Sequence, residues 1–103
     1  MLPEIKVGTY TGTGAALSVT LGYKPAVVLA FNQTDGDVFW GHISGMTDAT
    51  AFAIAAATAA VSSQGCTLTP SGFTLGTNSS INESAKVYLY VAIGHAGLTA
   101  AGA

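Results

Sequence analysis

Lys86-Val87-Tyr88-Leu89-Tyr90-Val91-Ala92-Ile93-Gly94 is the stretch whose reading decides the fold. Val87, Leu89, Val91 and Ile93 fall on one side of an extended chain. Tyr88, Tyr90 and Ala92 fall on the other. β-Branched and aromatic side chains suit the pleated surface of a sheet. The run predicts a strand with two apolar sides, and a strand needs neighbours.

The rest of the chain supplies them. Ile5, Val7 and Thr9 alternate with Lys6, Gly8 and Tyr10. After the turn cluster Thr11-Gly12-Thr13-Gly14, Leu17, Val19 and Leu21 alternate with Ala16, Ser18 and Thr20. These two strands are expected to form a hairpin across the glycine turn. Gly22-Tyr23-Lys24-Pro25 stops the second. Ala26 to Asn32 is continuously apolar up to its last residue, the pattern of a central strand buried on both faces. Gln33-Thr34-Asp35-Gly36-Asp37 carries the Asp-Gly chemistry of a tight turn, and Val38-Phe39-Trp40-Gly41-His42 reads as the return strand. Further on, Cys66-Thr67-Leu68-Thr69 and Phe73-Thr74-Leu75-Gly76 flank the breaker Pro70-Ser71-Gly72, and Thr77 to Ser84 is a polar turn region. The alanine-rich stretch 46–65 is read as an extended segment or loop, with a short helix as the alternative because alanine favours helix. Residues 95–103 read as a flexible or draped tail. Together these features predict one all-β domain over residues 1–103, an antiparallel β-sandwich for which a jelly-roll topology is open.

Composition narrows the function. Half of the 103 residues are apolar and 8% are charged, against about 25% in an ordinary soluble domain. Surface charge keeps isolated monomers dispersed, so a chain this poor in it is expected to cover much of its surface with copies of itself or a partner. Arginine is absent, and Lys6, Lys24 and Lys86 are scattered. Phosphate neutralisation requires a basic cluster, so neither nucleic acid nor an anionic membrane surface is an expected partner. The apolar stretch from Ala49 to Val61 is broken by Thr50 and Thr58 and falls short of the roughly 20 residues of a spanning helix. Met1 to Lys6 lacks the basic-then-apolar order of a signal peptide, and synthesis in the cytoplasm is the expectation. Cys66 stands alone, so no disulfide forms within the chain.

Chemistry-bearing residues are sparse. His42, His95 and Cys66 offer no spaced zinc set, and no metal or other cofactor is expected. A Cys66–His dyad is the weakest reading, since a lone cysteine is more often a small buried apolar residue. Asp35, Asp37 and Asp48 lack the ligand series of a calcium loop. No catalytic residue is assigned, and the chain is read as non-enzymatic. Aromatic residues carry more information. Phe39 and Trp40 are adjacent on a strand and must face opposite ways, so one of them turns away from the core. By the same logic Tyr88 and Tyr90 lie opposite the aliphatic row of their strand. Phe39, Trp40, Phe52, Ile54, Tyr88 and Tyr90 are therefore the candidate partner or oligomer interface, with residues 46–61 and the two termini as contact regions.

Several motifs resemble a module found in tailed-bacteriophage virion proteins. They are Gly8-Thr9-Tyr10-Thr11-Gly12-Thr13-Gly14, then Leu21-Gly22-Tyr23-Lys24-Pro25 with the apolar run to Phe31. Gly72-Phe73-Thr74-Leu75-Gly76, Ile81-Asn82 and Val87 to Ile93 complete the set. The resemblance covers most of residues 7–94 outside the alanine-rich middle. It implies a structural role with no catalytic residues. Such modules occur in tail-fibre-like proteins and as small capsid decoration (cement) proteins. A chain beginning at Met1 and consisting of the module alone favours the second. The implied partners are the major capsid protein and other copies of the chain, as a homotrimer on the outer surface of the virion head. The alternative is a tail or fibre module binding host-surface carbohydrate, with Trp40, Tyr88 and Tyr90 lining a shallow site.

Overall fold

The computed structural model describes residues 4–54 and 61–94. Among these described residues eight strands follow one another: β1 (Glu4–Thr11), β2 (Leu17–Thr20), β3 (Pro25–Asn32), β4 (Phe39–Ile43), β5 (Thr50–Ile54), β6 (Val61–Thr69), β7 (Gly72–Leu75) and β8 (Val87–Gly94). One helical turn, α1 (Ser79–Asn82), precedes β8. All pairings are antiparallel, in the single order β1-β8-β3-β4-β5-β6-β7-β2. The sheet curls into a near-barrel, with β1-β8-β3-β4 facing β6-β7-β2 and β5 at the bend. The all-β antiparallel expectation holds, and the two layers are halves of one continuous sheet. The β1·β8 and β2·β7 pairs are nested as in a jelly roll, whereas β3 to β7 run as a meander.

Two local readings are corrected. β1 and β2 do not form a hairpin; they lie at opposite ends of the sheet order. The glycine cluster between them spends its hydrogen bonds elsewhere: Gly12 N–H donates to Lys86 O, Gly14 N–H to Asn82 O and Ala85 N–H to Gly12 O. The turn thus crosses from one layer to the other, pinned against the segment entering β8. Gly12 must be glycine there, because a Cβ would overlap the Glu83 carbonyl. Second, β3 is central but not covered on both sides: Val28, Ala30 and Asn32 are buried, while Phe31 on the opposite face is exposed. Within the alanine-rich stretch, Thr50–Ile54 is strand and pairs with β4. Residues 55–60 and the expected tail 95–103 lie outside the described residues.

The core is aromatic. Phe73 reaches from β7 into the opposite layer and meets Tyr10, Trp40 and Tyr90 edge-on, with ring centroids 6.5, 6.4 and 5.5 Å away. Tyr10 stacks flat on Tyr88 at 4.8 Å. Buried Tyr and Trp need partners for their polar tips. The Tyr10 hydroxyl donates to Ile81 O (2.6 Å) and accepts from Trp40 Nε1 (2.9 Å), and the Tyr23 hydroxyl donates to Ala92 O (2.7 Å). Asn82 is wholly buried. It accepts from Thr13 N–H and donates to Ala15 O and Gly76 O, tying both layers to α1.

Candidate functional site

The two layers differ on their outer faces, and the difference follows from sequence. On β2, β6 and β7, Leu17, Val19, Cys66, Leu68, Phe73 and Leu75 point inward. Ser18, Thr20, Thr67, Thr69 and Thr74 alternate with them outward. That is the ordinary apolar-in, polar-out alternation of a sheet with one wet side. The central strands of the opposite layer, β3 and β8, have no such alternation. That layer's inner positions hold Tyr10, Tyr88, Tyr90, Ala92, Val28, Ala30 and Trp40. Its outer positions are apolar as well.

Strand register sets those outer side chains in three rows. One row runs Ile5, Ile93, Val27, Ile43 across β1, β8, β3 and β4. The next runs Val7, Val91, Leu29, Gly41, Phe52, and the third Thr9, Leu89, Phe31, Phe39, Ile54, both reaching β5. No charged residue belongs to any row. Gly41 leaves a gap in the middle row, and the Phe52 ring lies over it; a Cβ at Gly41 would overlap that ring. Between the aliphatic middle row and Phe31, Phe39 and Leu89 is an open groove of about 280 Å³. The exposed large hydrophobics among the described residues are Ile5 (65%), Val7 (68%), Phe31 (40%), Phe39 (36%), Ile43 (47%), Ile54 (64%) and Leu89 (39%). All seven lie on this one face. Monomers rarely expose contiguous apolar patches beyond a few hundred Å².

The six residues expected at an interface divide between the two faces. Phe39, Phe52 and Ile54 stand on the outer face, with Phe39 and Phe52 in edge contact at 6.3 Å. Trp40, Tyr88 and Tyr90 are buried, which corrects their expected exposure. Their rings build the core around Phe73, and they line no surface site for a sugar. The aliphatic row Val87, Leu89, Val91, Ile93 is the outward one. Sequence reasoning missed Ile5, Val7, Phe31, Ile43 and Leu89 as surface residues. The signal was present: β3 and β8 are apolar at odd and even positions alike, while β2, β6 and β7 alternate with Ser and Thr.

The remaining chemistry is muted. Cys66 is buried, and desolvation pushes its thiol up to about 12. A nucleophilic cysteine needs the opposite shift. His42 is buried with Nδ1 2.7 Å from Thr50 O, so Nδ1 carries the proton. It borders a second depression of about 230 Å³ with Lys24, Ser44, Met46 and Asp48. Among the described residues, no three His, Cys, Asp or Glu side chains gather as metal ligands, and no helix is long and apolar enough to cross a membrane. Lys86, just before β8, pairs with Asp35 in the β3–β4 turn at 3.2 Å, an exposed pair of small energetic weight.

No protein-family model, curated protein or solved structure matches the chain.

Proposed function

We propose that this chain is a non-enzymatic structural protein of a phage particle, most simply a capsid decoration protein on the head. The observation that carries the reading is the apolar outer face of β1-β8-β3-β4-β5, which leaves every exposed large hydrophobic of the described residues on one side. Such a face is covered by protein when the molecule works. The glycine and aromatic motifs, which resemble those of virion modules, favour a particle as the setting. Those motifs fall at the structural centre of this fold: Tyr10, Gly12, Leu21, Tyr23, Phe73, Ile81 and Asn82 are all buried. The low charge fits contacts made by apolar area and backbone groups more than by ion pairs. In this reading residues 46–61 and the chain ends meet the major capsid protein.

The test is reconstitution. Heads purified without this protein are mixed with the refolded or native chain and pelleted. Saturable binding at a fixed copy number per shell subunit is expected, with added density on the outer surface by electron microscopy. Absence of binding to heads, together with retention on isolated tails, would sink the decoration role.

A further inference from the structure

We infer that the apolar outer face pairs with the same face of a second copy, giving a two-fold, sheet-on-sheet dimer. The inference rests on the reading of this face as an assembly surface and adds its occupant and symmetry. A closed ring of three needs two different patches per subunit, each fitting the other. The described surface has one apolar patch, and all seven exposed large hydrophobics belong to it. One patch meeting itself is an isologous contact, and its symmetry is two-fold. The expected trimer does not follow from this surface.

Area and charge support a copy as the occupant. Large side chains present roughly 150–200 Å² each. At exposures between 36% and 68%, seven of them leave roughly 600 Å² of apolar surface per copy. Two copies would bury roughly 1,200 Å², the lower edge of a stable specific interface. The half-buried Leu29, Phe52 and Val91 add to it. The chain carries a net charge of -2, but the rows hold no charged side chain, so self-pairing desolvates none and opposes no like charges. Both partners are the outer faces of twisted antiparallel sheets, which pack with strand directions within about 30°. The groove beside Phe31 and Leu89 receives side chains from the facing rows. Within the chain, residues 1–3, 55–60 and 95–103 contain Met1, Leu2 and Leu98 as their only large apolar side chains, too few to cover three rows.

Sedimentation velocity and light scattering on the purified chain over a wide concentration range test this without any phage component. The expected mass is twice the 10.3 kDa of one chain. Leu89→Glu places a charge in the third row on a side chain that makes no core contact. It is expected to raise the dimer dissociation constant roughly 100-fold while the circular dichroism of the sheet is kept. Ile5→Lys, on the end strand, repeats the test should Leu89→Glu fail to fold. A monomer at every concentration, a three-chain mass, or a dimer indifferent to both folded variants overturns the inference. A dimer that ignores heads defeats only the particle reading, and a monomer that decorates heads defeats only the two-fold.

Discussion

Replacing Tyr10 by phenylalanine removes one oxygen from the centre of the molecule. That oxygen joins Trp40 on β4 to Ile81 in α1, accepting from Nε1 at 2.9 Å and donating to the carbonyl at 2.6 Å. Both partners are fully buried, so water does not replace it. Each stranded group costs about 1–3 kcal/mol, and the pair about 2–6 kcal/mol. The Phe ring still stacks on Tyr88, so no large cavity adds to the loss. A domain of this size holds about 5–15 kcal/mol in total, and Tyr10→Phe removes a substantial fraction of it. Trp40 is the only tryptophan, and its emission reports unfolding at its own site. With a urea dependence of about 1–3 kcal/mol per molar, the midpoint falls by roughly 1–3 M at fixed protein concentration. Tyr23→Phe is the internal comparison. Its hydroxyl makes a single bond, to Ala92 O, and its loss costs about 1 kcal/mol. A Tyr10→Phe cost below about 0.5 kcal/mol, or one no larger than that of Tyr23→Phe, would refute the bridging role.

Tyr88 and Leu89 are adjacent on β8 but face opposite ways, so the two alanine variants should part: about 3–5 kcal/mol lost for Tyr88→Ala, and less than about 1 kcal/mol for Leu89→Ala in dispersed protein, by urea titration. Asn82→Ala strands three backbone groups that join the layers and is expected to cost about 3 kcal/mol or more, with faster amide exchange at Thr13 in hydrogen–deuterium measurements. Burial raises Cys66 from 9.0 to about 12 and also raises Tyr10, Tyr23, Tyr88 and Tyr90. Groups raised in the folded state give stability that is full below their unfolded values and lost as pH climbs through the folded ones. The melting temperature should therefore hold up to about pH 9 and fall steadily towards pH 12, with the early part of the fall smaller in Cys66→Ala.

Strand positions were largely legible, because alternation and turn chemistry are local. The β3–β4 hairpin was readable from Asp35-Gly36, where Gly36 takes a φ of 69°, and β8 from its own run. Two things were not. The glycine turn after β1 has the composition of a hairpin, but whether its N–H groups close a hairpin or bind Lys86 and Asn82 depends on contacts some seventy residues away in the chain. The inside of β8 was also undecided by pattern, since both of its faces are apolar. Tyr88 and Tyr90 are expected outside only because they lie opposite the aliphatic row of their strand. Inside, the hydroxyls of Tyr10 and Tyr23 find the carbonyls of Ile81 and Ala92, and that of Tyr88 accepts from Glu83 N–H. For the candidate surface, Phe39, Phe52 and Ile54 were found from sequence, and the aliphatic rows beside them were not.

If the outer face of β1-β8-β3-β4-β5 is covered by protein in the working molecule, hydroxyl-radical footprinting read residue by residue will show it. Labelling of Phe31, Phe39, Leu89 and Ile54 should be low in the concentrated or particle-bound protein and should rise on dilution to the free chain, while Trp40 and Tyr88 stay protected throughout. Equal labelling of those four residues in the assembled and the free protein would contradict such a cover.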